Sequence, residues 1–216
     1  MTSTARLDIL VATRNPGKIR EIRDGLCSLP VRLRYLDEFL NVSAVDEVGR
    51  TYEENAAVKA LVYSKQTGVC ALADDSGLEV EALGGGPGVL SARFGGDHAS
   101  DQERIEKLLT ALSQCRGQER RARFVCCMAL TGWTMEEEQT RVADPRLLHV
   151  TEAKCEGFIA TGLGGTNGFG FDPVFVPKGY RETFAELPAE VKASISHRAL
   201  ALAAMREFLG LWLGQT

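Results

Sequence analysis

Short apolar runs alternate along this chain with segments whose apolar residues recur at the spacing of a helix. Residues 7–12, 31–36 and 69–73 have the character of buried strands, and residues 19–29 and 53–67 that of helices. The same criteria predict further strands at 78–83, 121–131 and 154–161, and further helices at 101–115, with a cap at Ser100 or Asp101, and at 193–213. This mixture, without an internal repeat, predicts an α/β or α+β architecture around a central sheet.

The composition limits the classes of protein to consider. The chain has 216 residues, enough for one large domain or two small ones that share a core. Its formal net charge of −4 argues against non-specific nucleic-acid binding but allows a small phosphorylated ligand in a locally basic cleft. No apolar stretch has the length of a membrane span or of a secretory signal, so we expect a cytoplasmic protein. The six cysteines form no C-x-x-C pair and are interpreted as reduced core residues.

The turn between the first strand and the first helix has a sequence suited to phosphate binding. Backbone N–H groups at a helix N-terminus face such a ligand, and a lysine adds positive charge. The segment is not a Walker A loop, because Ala12 stands where the first glycine is needed and Ile19 replaces Ser or Thr. An ordinary turn with a solvated lysine is the alternative. The residues concerned are Thr13, Arg14, Asn15, Pro16, Gly17 and Lys18.

Asp74 and Asp75 stand side by side where residues 69–73 end, and two like charges there resist burial. Successive side chains of an extended segment point to opposite faces, so the two carboxylates should do different jobs. A carboxylate at the end of a strand is well placed to bind Mg²⁺ or activate water, although Asp-Asp-Ser-Gly is equally good turn chemistry. Asp46 or Glu47 could join a metal there, unless the acidic stretch around them is only a solvated face.

Two later segments combine aromatic, glycine and basic residues. The sequence NGFGFDP at residues 167–173 sets aromatic rings between glycines, so that a ring can stack on a flat base while Asp172 or backbone groups read its edge. A tight packed turn is the alternative. A basic cluster follows near the start of the last helix, where the helix dipole disfavours cations unless an anion binds. Its basic residues are Lys192, His197 and Arg198, and Ser196 lies directly before His197.

Together these features suit a nucleoside triphosphate with Mg²⁺, and five segments resemble, in order, the signature blocks of the inosine/xanthosine triphosphate pyrophosphatase family. They are VATRNPGK, GRTYEENAAVKA, ADDSGLEVEALGGGPGVLSARFGG, GFGFDPVF and KASISHRALAL. The resemblance implies a single domain over residues 1–216, with a long mixed central sheet and flanking helices that form two lobes around a nucleotide-binding cleft. It also implies a homodimer that hydrolyses ITP, dITP and XTP to the monophosphate and pyrophosphate with Mg²⁺. From the net charge and the short apolar stretches we expect no nucleic-acid or membrane partner.

The resemblance also implies roles for individual residues. Asp75 would be the catalytic carboxylate, which binds Mg²⁺ and accepts a proton from water, while Ser76 touches the substrate. Residues 13–18 would bind the triphosphate, and Asp46, with Glu47 adjacent, occupies the position of the second metal ligand. The residues implied to hold the base and to close over the nucleotide are Phe169, Gly170, Phe171, Asp172, Lys192, His197 and Arg198.

Three residues depart from the family pattern. Arg14 replaces a common glycine and adds a charge near the phosphates, and Phe171 replaces a common tyrosine and removes a hydroxyl. Asp46 replaces a common glutamate and shortens the reach to a metal, so Glu47 is the alternative ligand. Two other functions stay open at this point: a nucleotide pyrophosphatase with another base preference, such as modified pyrimidines, and a sensor that binds nucleotides without turnover.

Overall fold

A computed structural model describes residues 6–134, 137 and 143–214. Within them, six strands form one sheet in the order β2-β1-β3-β4-β5-β6. Strand β1 pairs in parallel with β2 and with β3, whereas β5 and β6 are antiparallel. The predicted α/β class with a mixed central sheet is therefore confirmed. The strands are β1 (Leu7–Val11), β2 (Val31–Tyr35), β3 (Cys70–Val80), β4 (Arg121–Gly132), β5 (Arg146–Ile159) and β6 (Phe175–Pro177).

Five α-helices flank this sheet in the described part of the chain, and side-chain caps at Asn15, Thr51, Ser100 and Ser196 define the starts of four of them. Asn15, Thr51 and Ser100 each accept a hydrogen bond from the first turn of the helix that follows, which satisfies backbone donors that would otherwise be unpaired. None of the described helices is long and apolar enough to span a membrane. The helices are α1 (Pro16–Leu26), α2 (Tyr52–Thr67), α3 (Asp101–Ala111), α4 (Ala189–Ile195) and α5 (His197–Trp212).

The chain divides into two compact units, and each is built from separate stretches of sequence. Unit 1 comprises Met1–Asp75, Cys127–Glu152 and Ala201–Thr216. Unit 2 comprises Ser76–Cys126 and Ala153–Leu200. Strands β3, β4 and β5 each contribute residues to both units. The two aspartates of the sequence argument thus belong to unit 1, and Ser76 to unit 2.

Unit 1 is centred on the parallel strands. Ile9, Leu10 and Val11 of β1 are fully buried, which fits a strand covered on both faces. Helix α1 lies against α5, since a β-carbon placed on Gly25 would come within 2.8 Å of the Leu202 side chain. A glycine at this position lets the two helices approach closely.

Unit 2 has an aromatic core. The rings of Phe124 and Phe175 are 4.6 Å apart, and those of Phe175 and Phe184 are 5.1 Å apart. The His197 ring stacks on Phe124 at 4.5 Å with an interplanar angle of 10°. Aliphatic side chains of β3 and α3, among them Leu78 and Leu108, complete this core. His197 is therefore anchored by packing.

Two sequence predictions about strands were wrong. Residues 69–73 and 78–83 were predicted as separate strands, but β3 runs unbroken from Cys70 to Val80 because the two aspartates between them have charged partners. Strand β5 begins at Arg146 rather than at residue 154. Its first residues are half-buried or exposed, so their hydrophobic pattern is weak.

The predicted helix at 193–213 is interrupted at Ser196, whose backbone is extended. The Ser196 hydroxyl accepts a hydrogen bond from the N–H of Ala199, so Ser196 caps a new helix, α5. His197 and Arg198 consequently occupy the first turn of α5.

All six cysteines are free thiols. Cys70, Cys126, Cys127 and Cys155 are buried, as predicted, whereas Cys27 is exposed and Cys115 half-buried. Burial raises the pKa of the Cys127 thiol to about 12, which disfavours the reactive thiolate.

Candidate active site

The two adjacent aspartates of β3 are buried, with 1% and 4% of Asp74 and Asp75 exposed. The ammonium of Lys18 lies 2.8 Å from Asp74 Oδ1. Asp75 Oδ2 accepts a hydrogen bond from Asn55 Nδ2 at 3.0 Å, and its Oδ1 lies 3.9 Å from Lys59 Nζ. The two carboxylates thus have different partners, as the alternation of side chains along a strand requires.

Lys59 connects the groups of this site. Its ammonium donates to Glu47 Oε1 at 2.8 Å and to the backbone carbonyl of Asp74 at 2.7 Å, in addition to its ion pair with Asp75. Only 7% of Lys59 is exposed. A single buried cation therefore holds Glu47 and Asp75 within reach of one another.

Burial and charge act against each other on Asp75. Burial raises the pKa of its carboxyl group, Lys59 and the hydrogen bond from Asn55 oppose this shift, and nearby Glu47 adds to it. The net direction is upward, because desolvation is the largest contribution. For Lys59, burial lowers the pKa but the charges of Asp75 and Glu47 outweigh it, so the ammonium form is favoured. A carboxylate with a raised pKa beside a fixed cation is well suited to accept a proton from water.

Helix α2 positions both partners of Asp75. Asn55 and Lys59 are four residues apart and so lie on one face of the helix. The start of that helix is fixed by a capping box between Thr51 and Glu54. The sequence analysis gave no role to Asn55 and Lys59. An amide and a lysine at this spacing, on an otherwise apolar helix face, could have indicated that both side chains contact a buried polar group.

Glu47 and Asp46 differ in their surroundings. Glu47 is half-buried and pairs with Lys59, whereas Asp46 is exposed. Mg²⁺ prefers carboxylate oxygens and commonly takes one or two from the protein, with the rest supplied by water and substrate phosphates. Glu47 and Asp75 fit that donor set, and the buried ammonium between them shows that positive charge is stabilised at this point. No cluster of three or more His, Cys, Asp or Glu side chains suited to a metal occurs in the described ranges.

The predicted phosphate turn is ordered by its own side chains. Asn15 Oδ1 accepts from the N–H groups of Gly17 and Lys18, at 2.9 and 3.2 Å. This differs from the expectation that those amides face a ligand, because a side-chain cap already uses them. Thr13 accepts from the N–H of Asn15 at 3.2 Å, while Arg14 and Pro16 are exposed. The attraction of this turn for a phosphate would therefore come mainly from the positive side chains of Lys18 and Arg14.

The residues after Asp75 pack very closely on another part of unit 2. The N–H of Leu78 donates to the Ser91 hydroxyl at 2.8 Å, and that hydroxyl donates to the carbonyl of Gly88 at 2.6 Å. A β-carbon on Gly77 would lie 2.7 Å from Ser91 Oγ and still closer to the Gly88 carbonyl. Gly77 is thus required by the lack of space, which fixes the backbone directly after Asp75 and Ser76.

Within unit 2, Asp172 organises the 167–172 loop. Its carboxylate accepts from the N–H of Phe169 at 2.9 Å and pairs with Lys192 Nζ at 2.5 Å. Only 3% of Asp172 is exposed. Both bonds are made to Oδ2, so this oxygen serves to hold the loop and Lys192 in place.

Phe169 lies beside two cations. The Lys192 ammonium is 5.0 Å and the Arg198 guanidinium 5.5 Å from its ring centroid, within the range of cation–π attraction. Arg198 Nη2 also donates to the hydroxyl of Ser76 at 2.8 Å. The structure thus brings together Ser76, Phe169, Asp172, Lys192 and Arg198. It places the Phe171 ring, 4% exposed, in the core of unit 2 against Phe94.

Comparisons with known proteins show the family to which the chain belongs. A model of the Ham1 family matches residues 9–208. The dITP/XTP pyrophosphatase of Syntrophobacter fumaroxidans is 47% identical over 93% of this chain and 81% of its own length. That of Geobacter sulfurreducens is 43% identical over 95% of this chain and 98% of its own.

Solved structures agree with the sequence comparison. A HAM1 protein from Coxiella burnetii is 41% identical and superposes with a TM-score of 0.81, covering 95% of this chain and 99% of that one. The Ham1 protein of Staphylococcus aureus gives 36% identity and a TM-score of 0.78, over 97% and 100% of the two chains. Sequence and fold therefore agree over almost the full length, and the chain belongs to the Ham1 family.

Proposed function

We propose that this protein hydrolyses inosine and xanthosine triphosphates (ITP, dITP and XTP) to the monophosphate and pyrophosphate. The observation that carries the proposal is the buried carboxylate of Asp75, held by Asn55 and Lys59 beside Glu47. A protein that only binds nucleotides has no need of a buried carboxylate with a raised pKa. The names of the relatives, dITP/XTP pyrophosphatases, support this choice of substrate.

In the reaction, the oxygen of water attacks the α-phosphorus and the bond from that phosphorus to the bridging α–β oxygen breaks. Asp75 accepts the proton of the attacking water, and pyrophosphate leaves with the bridging oxygen. Lys18 and Lys59 supply positive charge for the phosphates, which stabilises the leaving group. Asp74 keeps Lys18 oriented through their 2.8 Å ion pair.

Mg²⁺ is proposed as the metal, with Asp75 and Glu47 as its protein ligands. When bound, it supplies charge neutralisation for the phosphates and acidifies a bound water. Glu47→Gln should raise the Mg²⁺ concentration needed for half-maximal turnover about tenfold, because it removes one of two carboxylates. Asp46→Asn is the matched control and should leave that concentration unchanged. An equal effect of both variants, or a larger effect at Asp46, would reverse the assignment.

The base is proposed to stack on Phe169, with Lys192 and Arg198 as donors at its edge. Hypoxanthine and xanthine carry a 6-keto oxygen that accepts such a hydrogen bond. Adenine carries an amino donor there and would leave a buried donor unpaired, at a cost of roughly 1–3 kcal/mol. Guanine shares the keto group, so its exclusion depends on its 2-amino group or on groups next to it. Residues 13–18 are proposed to bind the phosphates. His197 is proposed to close over the nucleotide.

Pyrophosphate release from the purified protein tests the proposal directly. With Mg²⁺, we expect release from ITP, dITP and XTP and little from ATP, GTP, CTP or UTP. Release of orthophosphate instead would indicate that water attacks another phosphorus. Preference for a pyrimidine would change the substrate class, and ITP binding without turnover would indicate a sensor.

The homodimer implied by the resemblance and the cytoplasmic location expected from the sequence both stay predictions. Sedimentation equilibrium of the purified chain tests the first, since a dimer has twice the mass of the 23.5 kDa chain.

A further inference from the structure

We infer that Asp101, the first residue of α3, is a positioning residue for Phe169 and thereby sets the affinity for the purine base. Asp101 Oδ2 accepts a hydrogen bond from the N–H of Gly170 at 2.6 Å, across 69 residues of sequence. The inference rests on the proposed function, because Phe169 is the ring on which that function places the base. It adds a residue outside the five family-like segments.

Asp101 is available for this contact because another residue caps its helix. Ser100 accepts from the N–H of Glu103 and completes a capping box with it, so the Asp101 carboxylate is not needed there. Arg104 Nη1 donates to Asp101 Oδ1 at 2.8 Å. The pair leaves Oδ2 directed at Gly170.

The loop that receives this bond needs an external constraint. Gly168 and Gly170, on either side of Phe169, have φ of +78° and +61°, a region that glycine enters without penalty and leaves as easily. Two successive N–H groups are fixed by two carboxylates, Phe169 by Asp172 and Gly170 by Asp101. Hydrogen bonds to charged acceptors are about twice as strong as neutral ones. The peptide that follows Phe169 is therefore held from α3, and the one before it from Asp172.

The hydrogen bond between Asp101 and Gly170 should affect the binding of the base and should not affect the groups proposed to react. Asp101 is half-exposed, and its hydrogen bonds are to Gly170 and Arg104, neither of which is proposed to take part in the reaction. Loss of the bond should widen the range of positions open to the Phe169 ring. It should weaken the binding of ITP without changing the rate of the bound complex.

Steady-state kinetics of Asp101→Ala, Asp101→Asn and Asp97→Ala test this inference. Asp101→Ala should raise KM for ITP about tenfold and change kcat less than twofold, as expected for a lost charge-assisted hydrogen bond. Asp101→Asn keeps an acceptor oxygen and should restore most of the affinity. Asp97, exposed in the loop before α3, is the matched control for loss of one acidic side chain.

The thermal midpoint of each variant separates positioning from folding. We expect the midpoint of Asp101→Ala to lie within about 2 °C of wild type, because the bond is exposed. An unchanged KM for ITP in Asp101→Ala, or an equal rise of KM in Asp97→Ala, would overturn the inference. The proposed function would still hold in either case, provided that the wild type turns over ITP. Absence of turnover in the wild type would contradict the proposed function, and this inference would then fail as well.

Discussion

The burial that suits Asp75 to its proposed role as proton acceptor also lowers the stability of the fold. Its carboxyl group is buried, and the partners that favour its ionised form do not fully offset the loss of hydration. The folded-state pKa is therefore higher than the unfolded one, so the unfolded chain releases its proton first as the pH rises. The ionised carboxylate disfavours folding above the folded-state pKa, and this penalty disappears as the pH falls through the interval between the two values.

Asp75→Asn should separate the two effects. At pH 7 we expect turnover of ITP to fall about a thousandfold, because the proposed proton acceptor is gone, and the free energy of unfolding in the absence of metal to rise. Urea denaturation and pyrophosphate release measure the two quantities, with Asp37→Asn, an exposed change in the same unit, as control. Near-normal turnover would refute the role of Asp75. A lower unfolding free energy would show that its ion pair outweighs its burial.

Among the secondary-structure elements, the junction of α4 and α5 most directly positions site residues. The Ser196 hydroxyl accepts from the N–H of Ala199, and the extended backbone at Ser196 places His197 and Arg198 in a new first turn. Without that cap, the alanine- and leucine-rich sequence favours one continuous helix, as the sequence analysis predicted. A continuous helix would change the direction of the Arg198 side chain, which now contacts Ser76 and Phe169.

Ser196→Ala should therefore cost both stability and affinity. Loss of a serine cap is worth about 1 kcal/mol, and we expect a rise in KM for ITP as Arg198 loses its position. Ser194→Ala is the control, because Ser194 is exposed and its hydroxyl only donates to the carbonyl of Val191 within α4. Equal effects of the two substitutions would contradict a special role for the cap.

Ion pairs between Asp8 and two arginines connect the edge strand β2 to β1. Asp8 of β1 accepts from Arg32 Nε at 2.7 Å and from Arg34 Nη1 at 3.0 Å. The hydrogen bond from Arg32 lowers the pKa of the Asp8 carboxyl group, burial opposes this shift, and Arg34 adds to the lowering. A lowered folded-state pKa gives stability that is fully present above the unfolded value and lost as the pH falls through the folded one.

Asp8→Asn should reproduce that dependence on pH. We expect it to lower the urea midpoint at pH 7, less so in high salt, and to have no effect once the pH is below the folded-state pKa of Asp8. Denaturation curves of wild type and variant from pH 7 to acid pH measure the difference. A constant difference across that range would mean that the side chain acts through packing.

At the scale of the whole molecule, each compact unit is discontinuous in sequence. Unit 1 takes buried residues from distant stretches, including Met128 and Leu130 of β4 and Leu202 and Met205 of α5. No single continuous segment therefore contains the core of unit 1.

A fragment of residues 1–75 should accordingly fail to fold alone, although it carries β1, β2, α1 and α2. We expect its circular dichroism to lack a cooperative thermal transition, in contrast to the full chain. A cooperative transition in the fragment would show that the later stretches are dispensable for unit 1.

Sequence reasoning succeeded where a local pattern determines the outcome. The cap at Ser100, the buried β1 and the α/β class were predicted from patterns of residues close together in sequence. It failed where distant partners decide. The continuity of β3 depends on Lys18 and Lys59, and the position of the 167–172 loop depends on Asp101. The break at Ser196 was missed because helix propensity outweighed a single capping hydroxyl.

The close packing at Gly77 has a consequence for redesign of this protein. Residues 77, 88 and 91 form one spatial unit, since the space that a side chain at 77 would need is filled by the Gly88 carbonyl and the Ser91 hydroxyl. A library that randomises position 77 alone would return glycine almost exclusively. One that varies all three together can reshape the support behind Ser76, and with it the nucleotides the protein accepts.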